Sequence, residues 1–218
     1  MENTIESYFA QPMMVGCFSD PANLALPDPE LVQYYCDIGR RVYWLENEIC
    51  QEDLFFVKRL IAWNAEDSGL PKEERKPVFL MIDTPGGDLY VTLSIIDAIR
   101  ASETPVIGVV TGTAYSGGFF ALLACDQRLG FKHSSYMIHK GSGAIDTDQT
   151  AAVEAMRQWQ AQTNVLRDLT VERTKMPLKD VNKALRTDTY FSADKALEKG
   201  VLTGLISSLG EITAWTDS

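Results

Sequence analysis

Two uninterrupted apolar runs, VFLMID (78–83) and PVIGVVTG (105–112), constrain this chain more than any other feature. A strand that is apolar on both sides of its pleat has no face to give to water, so it belongs inside a covered sheet. Each run ends in a glycine-bearing turn, TPGGD (84–88) after the first and GTAYSGG (112–118) after the second. Each turn opens onto a helix-like stretch, LYVTLSIIDAIRAS and FFALLAC. Strand, helix, strand, helix with connections this short is the pattern of parallel strands joined by crossover helices, an α/β fold.

The flanking segments extend that pattern. RRVYWLE (40–46) reads as a strand, and Leu54, Val57, Leu60 and Ile61 recur at helical spacing between Glu52 and Ala65. EDSGLPKEERK (66–76) is a charged loop, and RLGFK and SYMIH (135–139) read as further strands. A long helix is expected over 147–173, capped by Thr147 or Asp148, with Val153, Met156, Trp159, Leu166 and Leu169 on one face and a polar gap at Thr163. Pro177 restarts a helix, Ser192 caps ADKALEK, Gly200 closes it, and VLTGLISSL returns as a strand. Residues 1–35, with PANLALPDPE as their strongest turn signal, receive no firm assignment.

Composition narrows the partners. A net charge of −10 repels phosphates, which argues against nucleic acid and membrane surfaces. No apolar run approaches the ~20 residues of a membrane span. The N-terminus lacks a basic stretch leading into an apolar one, as a secretory signal would have, and Cys17, Cys36, Cys50 and Cys125 form no CxxC pair. A cytoplasmic protein with reduced thiols, no metal and no organic cofactor is expected.

The turn around Ser116 invites chemistry. Ala114 and Gly118 lie two places to either side of it, a small-residue variant of the strained strand-to-helix elbow that presents a nucleophilic serine. Its position at a helix N-terminus favours negative charge, and the N–H of Gly117 is placed to donate to an oxyanion. A second donor from the TPGGD turn, Gly87, follows if the two strands are neighbours. A glycine-rich turn with an idle serine satisfies the same pattern. For a base there are two histidines: His133 lies in the polar FKHSS, whereas His139 ends the apolar YMI at a strand terminus. For the acid that would orient the imidazole, Asp188, Asp83 and Asp88 all remain open.

In their order and spacing, DTPGGD, GTAYSGG, YMIHKG and TDTYFSADKALEKGVL resemble the proteolytic subunit of the Clp protease, over roughly residues 38–210. The resemblance implies Ser116 as nucleophile, His139 as general base and Asp188 as orienting acid, with the N–H groups of Gly87 and Gly117 as the oxyanion hole. It implies a crotonase-like spiral of β-β-α units with a protruding helical handle at about 142–176, within a single peptidase domain over 36–218 that follows a divergent segment 1–35. It also implies peptide substrates cut inside a heptamer or double heptamer of the chain, with a AAA+ unfoldase ATPase or a paralogous Clp subunit as partners. Four departures stand out. Gly117 follows the serine where the family commonly has Met, and Gly141 stands where it commonly has Pro. Thr187 replaces an Arg before the aspartate, and the first 35 residues do not resemble the family's axial-loop segment. The reading is thus a serine endopeptidase. Its rivals are an acyl-CoA enzyme of the crotonase type and a catalytically weak subunit of a mixed ring.

Overall fold

The computed structural model describes residues 28–141 and 149–212. The chain divides into two compact units between Arg41 and Val42. In the first, helix α1 (Pro29–Gly39) begins inside the stretch left without assignment. The Asp28 carboxylate accepts the Glu30 N–H at 2.9 Å and Pro29 occupies the first turn, so the end of that turn signal starts a helix.

The second unit is a mixed α/β layer built on a seven-stranded sheet. Its elements are β1 (Val42–Ile49), α2 (Leu54–Glu66), β2 (Val78–Gly87), α3 (Leu89–Ala101), β3 (Val106–Tyr115) and α4 (Gly117–Ala124). There follow β4 (Gln127–Phe131), β5 (Ser135–Ile138), α5 (Gln149–Arg173), α6 (Leu178–Ala184), β6 (Thr189–Ser192), α7 (Ala193–Glu198) and β7 (Gly204–Ile206). The strand order β1-β2-β3-β4-β7 is parallel throughout. Thr147 and Asp148, the expected caps of α5, lie outside the described residues.

The period of two along the apolar strands separates two packing layers. Phe79, Met81, Ile107 and Val109 join Val42 and Ile206 in a cluster on one face. On the other, a Cβ added to Gly108 would lie 2.9 Å from Leu122 and 3.0 Å from Cys125, so α4 rests directly on the sheet there. All eight residues of α4 are buried, as expected of a helix apolar on every side. α3 packs against both α2 and α4.

β3 changes partners along its length, and this positions everything that follows. Its first half pairs with β4 (Ile107↔Gln127 to Val110↔Gly130) and its end with β5 (Thr113↔Ser135 to Tyr115↔Met137). β5 in turn pairs antiparallel with β6. The stem of α5 is tied to this region by two arginines. Buried Arg128 donates to the carbonyls of Val201, Gly200, Cys125 and Arg173, while Arg173 donates to those of Leu123 and Cys125. The predicted apolar stripe of α5 therefore has two fates: Leu166 and Leu169 are buried, whereas Val153 and Met156 are half exposed.

Candidate active site

The strand registers bring the site together. Tyr115↔Met137 puts the residue after β3 beside the end of β5, and the Ser116 N–H donates to the Met137 carbonyl at 2.9 Å. Ile138↔Thr189 puts the residue after β5 across from the one before β6. Three chain ends thus deliver Ser116, His139 and Asp188 to one place. The Ser116 hydroxyl lies 2.7 Å from His139 Nε2, and His139 Nδ1 lies 3.2 Å from Asp188 Oδ1. With the imidazole neutral, Nδ1–H donates to the carboxylate and Nε2 accepts from the serine, the tautomer a general base requires. The imidazole is mostly covered and the carboxylate more than half exposed, at 23% and 57% side-chain accessibility. The second histidine, His133, is on the exposed turn between β4 and β5.

Ser116 has φ +50° and ψ −115°, an unfavourable conformation for a residue with a side chain, costing about 1–3 kcal/mol. The surroundings hold it there. Gly86, at φ +94°, comes so close that a Cβ would lie 2.7 Å from Ser116 Cβ and 2.8 Å from the Gly117 nitrogen. A Cβ on Gly87 would collide with the Ile49 backbone. The glycine pair is required on two sides: one residue against the serine turn, the other against β1. Thr84 fastens the same segment, donating its hydroxyl to the Asn47 carbonyl and accepting the Gly86 N–H at 3.0 Å.

Two backbone N–H groups beside this space are left without an acceptor in α4 or β1. Gly117 is the first residue of α4, where N–H groups have no helical acceptor. The Asp88 N–H is spent on the Ile49 carbonyl at 2.8 Å, and since successive N–H groups of a strand alternate in direction, that of Gly87 faces away from β1.

The two other carboxylates left open by the sequence are occupied elsewhere. Asp83 Oδ1 accepts the Thr113 N–H at 2.8 Å and its hydroxyl at 3.0 Å, bridging a register shift between β2 and β3. Asp88 caps α3, accepting the N–H groups of Tyr90 and Val91 at 2.7 and 2.9 Å. Among the described residues no group of His, Cys, Asp and Glu converges as a metal site would. No described helix is long and apolar enough to cross a membrane.

The serine opens onto a cleft of about 1120 Å³, walled by the end of β1, the TPGG segment, Phe120 and the stem of α5. The strand pattern in the sequence ends at Glu46, and so misses Asn47 to Cys50 as part of this wall. β1 shifts register against β2 after Glu46, and its alternation breaks there, leaving only the pairing to reveal the extension. Two departures from the family pattern also have local causes. A Cβ on Gly117 would lie 2.5 Å from Thr92 Oγ1, so α3 fills the space a larger residue would need. Gly141 has φ +84°, which a proline ring forbids.

The family model described as Clp protease matches residues 56–208. The chain is 30% identical to the ATP-dependent Clp protease proteolytic subunit 2 of Treponema pallidum (strain Nichols), over 63% of this chain and 70% of that one. It is 29% identical to proteolytic subunit 1 of Chlamydia pneumoniae, over 80% and 90% of the two chains. With proteolytic subunit 1 of Chlamydia muridarum (strain MoPn / Nigg) the identity is 30%, over 86% of this chain and all of the other. The match spans α2 to β7, and with them the three residues joined above: the chain belongs to the Clp protease family.

Proposed function

We propose that this chain is the proteolytic subunit of a chambered Clp-type protease, a serine endopeptidase that cuts peptides or unfolded polypeptides through an acyl-enzyme. The observation that carries this reading is the hydrogen-bonded line from the Ser116 hydroxyl, 2.7 Å to His139 and 3.2 Å on to Asp188. Ser116 Oγ attacks the scissile carbonyl as its proton passes to His139 Nε2. The resulting imidazolium is stabilised by Asp188 through Nδ1–H. The carbonyl oxygen, now anionic, takes hydrogen bonds from the N–H groups of Gly117 and Gly87, each donor contributing about 3–4 kcal/mol to the transition state. His139 returns the proton to the leaving amine, and water then releases the acyl group by the same steps in reverse.

The architecture goes with this reading as a crotonase-like spiral whose handle is α5. The half-exposed Val153 and Met156 supply the handle with an apolar surface for a second copy, in a heptamer or a double heptamer. Confinement in such a chamber would select unfolded chains delivered by a AAA+ unfoldase, and the relatives above are named ATP-dependent. A mixed ring with a paralogous subunit uses the same surfaces. The free thiols of Cys36, Cys50 and Cys125 fit a cytoplasmic setting.

A fluorophosphonate probe tests the chemistry directly. Mass spectrometry of the adduct should place it on Ser116, with none on Ser116→Ala and peptide cleavage lost in parallel. An adduct elsewhere, or cleavage surviving in Ser116→Ala, would overturn the assignment.

A further inference from the structure

The cavity beside His139 has a character at odds with the charge of the chain. It encloses about 480 Å³ between α5, α6 and the segment after β5, and it shares His139, Lys140 and Gly141 with the cleft that holds Ser116. Lys140, Arg167 and Arg186 line it and, among the described residues, no carboxylate does, although the chain as a whole carries ten more acids than bases. Phe120 and Leu166 provide apolar wall, and Asn164 and Asn182 add amides.

The polar groups are presented as donors. Arg167 is held by Asp168 at 2.7 Å and gives its other terminal nitrogen to Asn164 Oδ1 at 3.0 Å. Gln160 donates to the same oxygen at 3.2 Å, so the acceptor of Asn164 is spent and its amide N–H groups remain for a ligand. Lys140 lies over the Trp159 ring, 5.0 Å from its centroid, with no ion pair to an acid among the described residues. Arg186, on the exposed turn before Asp188, makes no side-chain hydrogen bond or ion pair among the described residues. Apolar side chains, amide donors and two cations without an acidic partner among the described residues suit a short aliphatic stem ending in a carboxylate.

We infer that this cavity is a side-chain subsite that selects an acidic residue, glutamate above all, next to the scissile bond. The inference rests on the peptidase reading and names the substrate preference of the same site.

Peptidyl diphenyl phosphonates carrying a Glu, Gln or Leu side chain beside phosphorus provide the test, read as the rate of Ser116 labelling by intact mass. Because the warhead replaces the peptide's C-terminus, only the side chain can supply the carboxylate. The Glu reagent should label about 5-fold faster than its Gln isostere, the scale of exposed charge pairs. The advantage should vanish in Arg186→Gln and at about 1 M salt, where screening shortens to a few ångströms. The Glu and Gln rates of Arg186→Gln are each taken relative to that variant's own rate with a simple fluorophosphonate, so that any general change at Ser116 cancels. Equal Glu and Gln rates, a faster Leu reagent, or a Glu preference that survives Arg186→Gln would each overturn the subsite while leaving the peptidase reading intact. So would labelling by the fluorophosphonate with none by the peptidyl reagents. Absence of labelling by any of them would instead refute the peptidase reading, and this inference with it.

Discussion

Gly117 offers the most direct probe of how the nucleophile turn is built. Its φ is ordinary, so an alanine there meets no backbone barrier, only side chains: Thr92 first and, at 3.0 Å, the end of Ile49. The added Cβ would sit 2.5 Å from Thr92 Oγ1, about 0.9 Å inside ordinary contact, in a space where Thr92 is only 1% exposed. Overpacking of this kind costs about 1–3 kcal/mol. Thr92→Ala alone gives up a hydrogen bond to the Asp88 carbonyl, at 2.8 Å, worth about 1 kcal/mol. It also removes a buried methyl worth about 1 kcal/mol. Combined, the two changes should cost less than they do separately, because the methyl added at position 117 enters the volume that Thr92 vacates. The coupling should be about 1–2 kcal/mol in favour of the double variant, well above the scatter of independent sites.

Urea unfolding of the four proteins at a common m-value measures that coupling, and peptidase turnover measures its consequence. Gly117→Ala should lose roughly 10- to 100-fold in kcat/KM, since the displaced N–H is a proposed oxyanion donor. The double variant should recover most of that loss. Thr92→Val is the control: it keeps an atom where Oγ1 stood, so it should rescue neither stability nor turnover in the Gly117→Ala background. Zero coupling, or rescue by valine, would refute the claim that Thr92 sets the size of residue 117.

Three further outcomes follow from the same geometry. Asp188→Asn should lower peptide turnover by roughly 10²-fold, the low end of acid–base effects, because the carboxylate is more than half exposed and water can partly replace it; unchanged kcat would remove it from the site. Arg128→Met should destabilise the second unit by about 2–4 kcal/mol in urea, since several buried carbonyls lose their donor together; a neutral effect would show that water satisfies them. Burial pushes the Cys125 thiol from 9.0 up to about 12. The protonated form is thus the one the fold prefers: below pH 9 both states hold the proton, and above it only the unfolded chain releases it. Stability should fall by up to about 1.4 kcal/mol per pH unit above pH 9 on this account, and the Cys125→Ala protein should show a correspondingly flatter alkaline limb in thermal melts.

The strands and helices around the site are legible in the sequence because their signals are local. An apolar run, a glycine turn and an amphipathic stretch each state their own conformation, and β2, α3, β3 and α4 lie where those signals put them. Ser116 and His139 are legible for the same reason: one sits in a turn that tolerates only small neighbours, the other at the end of an apolar strand. The start of α1 is hidden by its prolines, which read as a turn signal although Pro29 sits in the first turn of the helix. The exposed half of α5 poses the opposite difficulty. Its stripe reads the same from Val153 to Leu169, yet only the end held by Arg128 and Arg173 is covered by this chain.

Asp188 cannot be chosen from thirty acidic residues by any local property, and the reason is its physics. Nothing about its immediate sequence distinguishes a turn aspartate from one that orients an imidazole. What distinguishes it is the antiparallel pairing Ile138↔Thr189, a contact between residues fifty-one apart. A slip of one residue in that pairing would turn the β6 side chains to the opposite face and carry the carboxylate off the histidine. The register is fixed by buried pairs farther along, Tyr136 against Phe191 above all, so the apolar ladder that never touches substrate decides which carboxylate faces the base. Gly117 follows the same logic at shorter range: its size is set by Thr92, twenty-five residues earlier on another helix. In both cases chemistry that looks local in the folded protein is specified by packing between segments, which one segment's sequence cannot display.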